Sequence, residues 1–164
     1  MAGRVPHDVL VERALRAVVA DKLLRLWAVR AGLLADPSEQ AFRARLDAEN
    51  ARRAAAAAGV RPEPGVPRYE EESYARTELA GLSAALRESL ADRVDLSDAR
   101  LRARHGELLA AAGPSNDAPP FEQVRDQVRG ELLAGAFDRE LADRVAAARV
   151  EPLPVAAVVV RQAE

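Results

Sequence analysis

Apolar residues recur along this chain at intervals of three and four, the spacing that gathers side chains onto one stripe of an α-helix. Between Asp8 and Ala31 the positions Val11, Leu15, Val18, Val19, Leu23, Leu26 and Trp27 keep that spacing, and Gly32 follows as a stop signal. A first helix is predicted over 8–32. Asp36-Pro37-Ser38-Glu39 then supplies a side-chain acceptor at the N-cap, a proline for the first helical position and a glutamate three residues after the cap. A second helix is predicted over 37–58. Phe42 and Leu46 give it bulk, and its end is a run of five alanines held by propensity rather than by packing.

Pro62, Pro64 and Pro67, with Gly65, remove amide donors between Val60 and Arg68, so this stretch reads as a turn or loop and not as a strand. Leu79, Leu82, Leu86 and Leu90 form the stripe of a third helix, 69–93, with Glu70, Glu71 and Glu72 near the positive end of its dipole. Asp95 or Ser97 caps a fourth, 98–112, carrying Leu101, Leu108 and Leu109. Gly113-Pro114 through Pro119-Pro120 breaks the pattern, and Pro120 opens a fifth helix, 120–148, through Phe121, Val124, Val128, Leu132, Phe137, Leu141 and Val145. Within it Gly130 and Gly135 either weaken the helix or admit a close neighbour. Residues 149–164 hold the β-branched run Val155 to Val160, a short extended apolar tail able to pair as a strand, dock, or lie exposed. The expected architecture is all-α: about five helices in an orthogonal or irregular bundle, forming one domain over 1–164.

Composition supports helices packed through small and aliphatic side chains, because 49% of the residues are apolar while only three Phe, two Tyr and one Trp occur. The chain has no cysteine, which removes disulfides, thiolate nucleophiles and thiolate metal sites. All basic residues but Lys22 are arginines. They are spread over the whole length and nearly balanced by carboxylates at a net charge of -2, which gives little electrostatic reason to bind a polyanion. Arg43, Arg45, Arg52 and Arg53, and again Arg100, Arg102 and Arg104, are grouped, but acidic residues lie beside them and no aromatics interleave to stack bases. Nucleic acid is not an expected partner. Charges interrupt every apolar run well short of the ~20 residues that span a bilayer, so no membrane span is expected. As given, the chain is expected to be cytoplasmic, or exported if it is a mature fragment.

Chemistry is sparse. His7 and His105 are the only imidazoles, and the Glu-x-x-His pattern of carboxylate-bridged metal sites is missing. Acidic neighbours such as Glu70 with Glu71, or Asp92 with Asp95, suit helix starts better than acid–base pairs. No phosphate loop, nucleophile elbow or dinucleotide fingerprint occurs. No catalytic residue, metal site or cofactor is therefore assigned. Trp27 and the three phenylalanines read first as core anchors; Trp27, Phe42, Tyr69, Tyr74, Phe121 and Phe137 are also the candidates for lining a peptide groove.

Ala14 to Leu24, with Lys22, Ala28 and Gly32-Leu33, resembles the opening of the SurA-like and PrsA-like chaperone domain of the parvulin foldases. Asp36 to Asn50 with Arg53 is similar to the second helix of peptidyl-prolyl isomerase-like relatives, and Gly65-Val66-Pro67-Arg68-Tyr69 to the turn that follows it. Leu90 to Leu101 resembles the approach to the parvulin module, and Phe121 to Val145 with Val150-Glu151 the helix that returns from it. Between His105 and Phe121 lie 15 residues, whereas a parvulin catalytic module needs on the order of 90. The resemblance implies a bundle of the SurA N-terminal chaperone type that keeps a groove for extended or unfolded polypeptide and lacks the isomerase. No catalytic residues carry over. Three functions follow as expectations: a holdase-like chaperone domain; a divergent isomerase-like or peptide-presenting accessory of an enzyme; and a helical assembly protein that dimerises through its C-terminal tail.

Overall fold

The computed structural model describes residues 7–58, 66–113 and 118–149. Among them lie five α-helices and no strand: α1 (His7–Arg30), α2 (Glu39–Ala57), α3 (Glu71–Glu88), α4 (Asp98–Ala112) and α5 (Phe121–Ala147), with a single 3-10 turn at Ala91–Arg93. The all-α expectation holds. The expected tail over 149–164 lies outside the described residues apart from Arg149, as do Val60 to Gly65 of the proline-rich loop.

Local chemistry sets the boundaries. Gly32 adopts φ +71°, and its amide bonds the Val29 carbonyl at 3.0 Å while the Leu33 amide reaches the Ala28 carbonyl at 2.8 Å. That pair of reversed bonds satisfies the last carbonyls of α1 and needs a residue without a Cβ at the left-handed position. The next two-residue turn into α2 is shared between two side chains. An Asp36 carboxylate oxygen accepts from the Ser38 amide at 2.8 Å, and the Ser38 hydroxyl accepts from the Ala41 amide at 3.2 Å. Helix α2 thus starts at Glu39, two residues later than Pro37 predicts, because Ser38 and not Asp36 is the N-cap. The same device recurs before α4, where Asp95 accepts from the Ser97 amide and Ser97 from the Arg100 amide. Helix α3 begins at Glu71 and ends at Glu88, short of the predicted Tyr69 and Arg93, and the chain tightens into the 3-10 turn instead. At that end the Ser89 hydroxyl donates to the Leu86 carbonyl at 2.7 Å, competing with continued helix. Pro120 sits one position before α5, as its N-cap, rather than inside it.

Helix α5 organises the packing. Its second half joins α1 and α3 in the main core, where Leu24, Trp27 and Ala28 meet Leu82, Leu86, Leu90, Leu133 and Phe137, with Leu34 closing the α1–α2 turn over them. Its first half packs on α4 through Leu101, Phe121 and Val128 in a separate, smaller cluster. Helix α2 is held differently: Phe42 is buried, but the other ties are polar. Asn50 exchanges two hydrogen bonds with the backbone of Tyr69, at 2.8 and 3.1 Å, and Arg45 bonds Glu78 at 2.7 Å.

Candidate functional site

The six aromatic candidates do not converge on one groove. Trp27 and Phe137 stack face to face, with centroids 5.4 Å apart, and both are buried in the main core. Phe42, Tyr74 and Tyr69 form a chain of rings at the α2–α3 junction, 5.5 and 5.7 Å apart in turn. Phe121 anchors the smaller cluster beside His105, with the Arg102 guanidinium 4.3 Å above its ring. Two of the six line separate shallow depressions. Trp27 edges a depression of about 320 Å³ between the ends of α1 and α5, and Phe42 edges one of about 420 Å³ rimmed by Glu39, Glu71 and Glu72.

A larger concavity lies elsewhere, between the first half of α1 and the second half of α5, with a volume of about 860 Å³. Leu15, Ala17, Val19 and Ala20 form one wall, Leu141, Ala142, Val145 and Ala146 the other, and Glu12, Arg16 and Asp138 supply the charge around them. Glu12 and Arg16 neutralise each other at 2.6 Å, one helical turn apart. Asp138 has no ion pair among the described residues. Leu15, expected inside the α1 stripe, is 49% exposed, and Val18 is 66% exposed. The cause is side-chain size. Where Trp27, Leu86 and Phe137 meet, the gap between helices is filled; where Ala17, Ala20, Ala142 and Ala146 face each other, it stays open. Among the described residues the walls carry no hydroxyl, imidazole or thiol, and what the groove offers is aliphatic surface with carboxylates and one guanidinium beside it.

A second arrangement, invisible in the sequence, ties three helices together. Glu78 of α3 is about nine-tenths buried between Arg45 of α2, at 2.7 Å, and Arg25 of α1, at 3.6 Å. The Arg25 guanidinium also lies 5.2 Å from the centre of the Phe42 ring. Burial, with the Glu78 charge nearby, pushes the Tyr74 phenol above its ordinary value. Close by, Glu49 accepts from both Arg52 and Arg53, and these bonds, the Arg52 one foremost, hold its carboxyl down to about 2. Every arginine of the two groups singled out in the sequence has a carboxylate within 3.0 Å: Glu39, Glu78 and Glu49 for the first group, and Glu107, Asp98 and Glu122 for the second. Most of these pairs lie within one helix, while Arg45–Glu78 and Arg102–Glu122 join two, and together they neutralise what would otherwise be a bare cationic face.

Among the described residues no group of three His, Cys, Asp or Glu is placed to hold a metal ion. His105 is half-buried, and its Nε2 is enclosed without a hydrogen-bond partner. No helix is long and apolar enough to cross a membrane, again among the described residues. Comparison with family models, with characterised proteins and with solved structures finds no match to this chain.

Proposed function

We propose that the chain is a polypeptide-binding module of the holdase kind, capturing apolar segments of unfolded clients in the α1–α5 groove without isomerase chemistry. One observation carries this reading: an open cleft of about 860 Å³ whose walls are aliphatic and whose charges stay around them. That volume falls within the range of sites that take small ligands or a few side chains of a peptide. Aliphatic walls reward apolar area with little regard to sequence, the property a general client site needs. The resemblance of Ala14 to Leu24, and of Phe121 to Val145, to the SurA-like chaperone domain supports the same reading, since these two stretches supply the two walls. A second reading, assembly of two copies through this face, is favoured by Leu15, which stands 49% exposed in the groove wall.

The test is a titration of the protein into fluorescein-labelled, reduced and carboxymethylated α-lactalbumin, which stays unfolded and soluble, read by fluorescence anisotropy. Leu15→Glu and Ala142→Glu change exposed wall positions and leave the core intact. Each is expected to weaken client binding by about tenfold, since each removes apolar contact worth about 1 kcal/mol and sets a charge against the client. Unchanged affinity in both variants overturns the reading. A stable dimer in sedimentation that Leu15→Glu dissociates, with no client binding, moves the assignment to assembly.

A further inference from the structure

The groove is built from helices alone, and that restricts the form in which a polypeptide can fill it. Both walls are faces of α1 and α5, whose backbone hydrogen bonds run along the helix axes, so neither wall presents an edge for a strand to join. The charged groups beside the walls are Glu12, Arg16 and Asp138, and the first two are taken up with each other at 2.6 Å. An extended segment pressed onto this surface buries amides and carbonyls without partners, each at about the cost of a lost hydrogen bond. A helix brings its backbone bonds with it. Dimensions favour the helix too. The α5 wall, Asp138 to Ala146, and the α1 wall, Glu12 to Ala20, are each roughly 12 Å long at about 1.5 Å per residue. An extended chain crosses that length in about four residues and turns about two side chains inward. A helix covers it in about two turns and lays down about three side chains, spaced three and four apart. Ala17, Ala20, Ala142 and Ala146 leave room for such side chains to enter. Elsewhere on the same two helices α3 already packs in this manner, setting Leu82, Leu86 and Leu90 against Leu24, Trp27, Leu133 and Phe137.

We propose that the α1–α5 groove selects the apolar face of an amphipathic helix from another polypeptide, one with a Lys or Arg beside its stripe. The proposal rests on the groove being a polypeptide site and names the kind of segment it takes. Charge sets the basic residue. Asp138 is exposed, stands at one end of the α5 wall and has no ion pair among the described residues, so a cation on the incoming helix meets a carboxylate that no arginine described here holds. A client segment with aliphatic residues three and four apart acquires its helical turns as it docks. A second copy of the chain fits less well. Val9, Leu15 and Val18 are its exposed large apolar side chains on α1 among the described residues, yet Leu15 belongs to its own groove wall. Val9 and Val18, nine residues apart, fall on opposite sides of α1 at 3.6 residues per turn and form no stripe to insert.

Full-length protein is titrated into three fluorescein-labelled synthetic peptides of equal length, read by anisotropy. The first has leucines three and four apart with a flanking lysine and is held helical by a hydrocarbon staple on its polar face. The second has the same residues with the leucines alternating, the pattern of an extended chain. The third is the first with glutamate in place of the lysine. The helical lysine peptide is expected to bind about tenfold tighter than the alternating one and about threefold tighter than the glutamate one. In Asp138→Asn the lysine and glutamate peptides are expected to bind alike, while Leu15→Glu and Ala142→Glu weaken both. Equal or tighter binding by the alternating peptide overturns the proposal. So does a lysine preference that survives Asp138→Asn, or a sedimentation dimer that the helical peptide does not dissociate. If carboxymethylated α-lactalbumin binds and Leu15→Glu weakens it, but the helical peptide has no advantage, the holdase reading stands and helix selection falls. If the helical peptide binds in the Asp138-dependent way and carboxymethylated α-lactalbumin does not bind, helix selection stands and the holdase reading falls.

Discussion

One apolar stripe along α1 meets two environments. From Leu24 to Ala28 it is enclosed by α3 and α5, with Leu86 and Leu133 almost without exposure; from Leu15 to Val19 it faces α5 across open space, and Leu15 and Val18 reach solvent. The two stretches have the same helical spacing and similar hydrophobicity. They differ in what stands opposite: leucine and aromatic rings from two helices in the first, and Leu141 and Val145 spaced by Ala142 and Ala146 in the second, with no third helix covering it among the described residues. Periodicity therefore identifies the apolar face of a helix, while the volume of the facing side chains decides whether that face is core or open groove.

The largest effect that could break this contrast is at Phe137. Phe137→Ala removes the ring stacked on Trp27 and opens a cavity, an expected loss of about 3–5 kcal/mol in urea unfolding, whereas Leu15→Ala is expected to stay within about 0.5 kcal/mol. Equal losses would show that the groove is core after all. The α2–α3 junction sharpens the comparison by closing a helix interface with charge. Glu78→Ala leaves Arg25 and Arg45 partly buried without their shared carboxylate, and about 2–3 kcal/mol of destabilisation is expected, reduced from the fully buried case by their remaining exposure. Loss of chain cooperativity, with α2 melting first in hydrogen exchange, would show that this contact fastens α2 and little else.

A smaller change of opposite sign is expected on the solvent side of α5. A Cβ at Gly130 meets nothing within 4 Å, so Gly130→Ala is expected to raise stability by about 0.5–1 kcal/mol without altering client affinity. The smallest effect is one of pH. Glu49 is held at about 2 against an ordinary 4.5, and Asp36, Glu88, Asp95 and Glu107 are also lowered, each by hydrogen bonds that favour the charged form. Folded values below the unfolded ones give stabilisation that is complete above about pH 4.5 and disappears as pH falls toward 2. Melting temperature measured from pH 6 down to 2 is expected to fall through that window, and Glu49→Gln is expected to flatten the slope. A flat profile in the parent chain would mean these surface pairs are fully screened.

The capping chemistry made the helices legible: Gly32 after α1, Ser97 before α4 and the four-leucine stripe of α3 all act as their residue types require. The errors are of one or two turns or less, and they have local causes. Asp36 and Ser38 compete for one cap, and Ser89 turns back on its own helix. The site was far less legible. Large aromatics attract attention as binding residues, yet their size is what buries Trp27, Phe42, Phe121 and Phe137. The groove instead declares itself by what is small, alanines at 17, 20, 142 and 146, a signal that acquires meaning only once α1 and α5 are known to be neighbours. Glu78 is hidden for the same reason, because its two cations lie 33 and 53 positions away in the chain.

The stacking of Trp27 on Phe137 also sets the order of events during synthesis. These rings are roughly 110 residues apart, so at about 5–20 residues per second the first helix waits roughly 5–20 s for its partner to be made. Through that interval α3 is at hand to cover Leu24, but Leu15 and Val19, which face α5, have no helix among the described residues to meet them. A protein proposed to shield unfolded chains is thus, for its own first seconds, a chain in need of shielding.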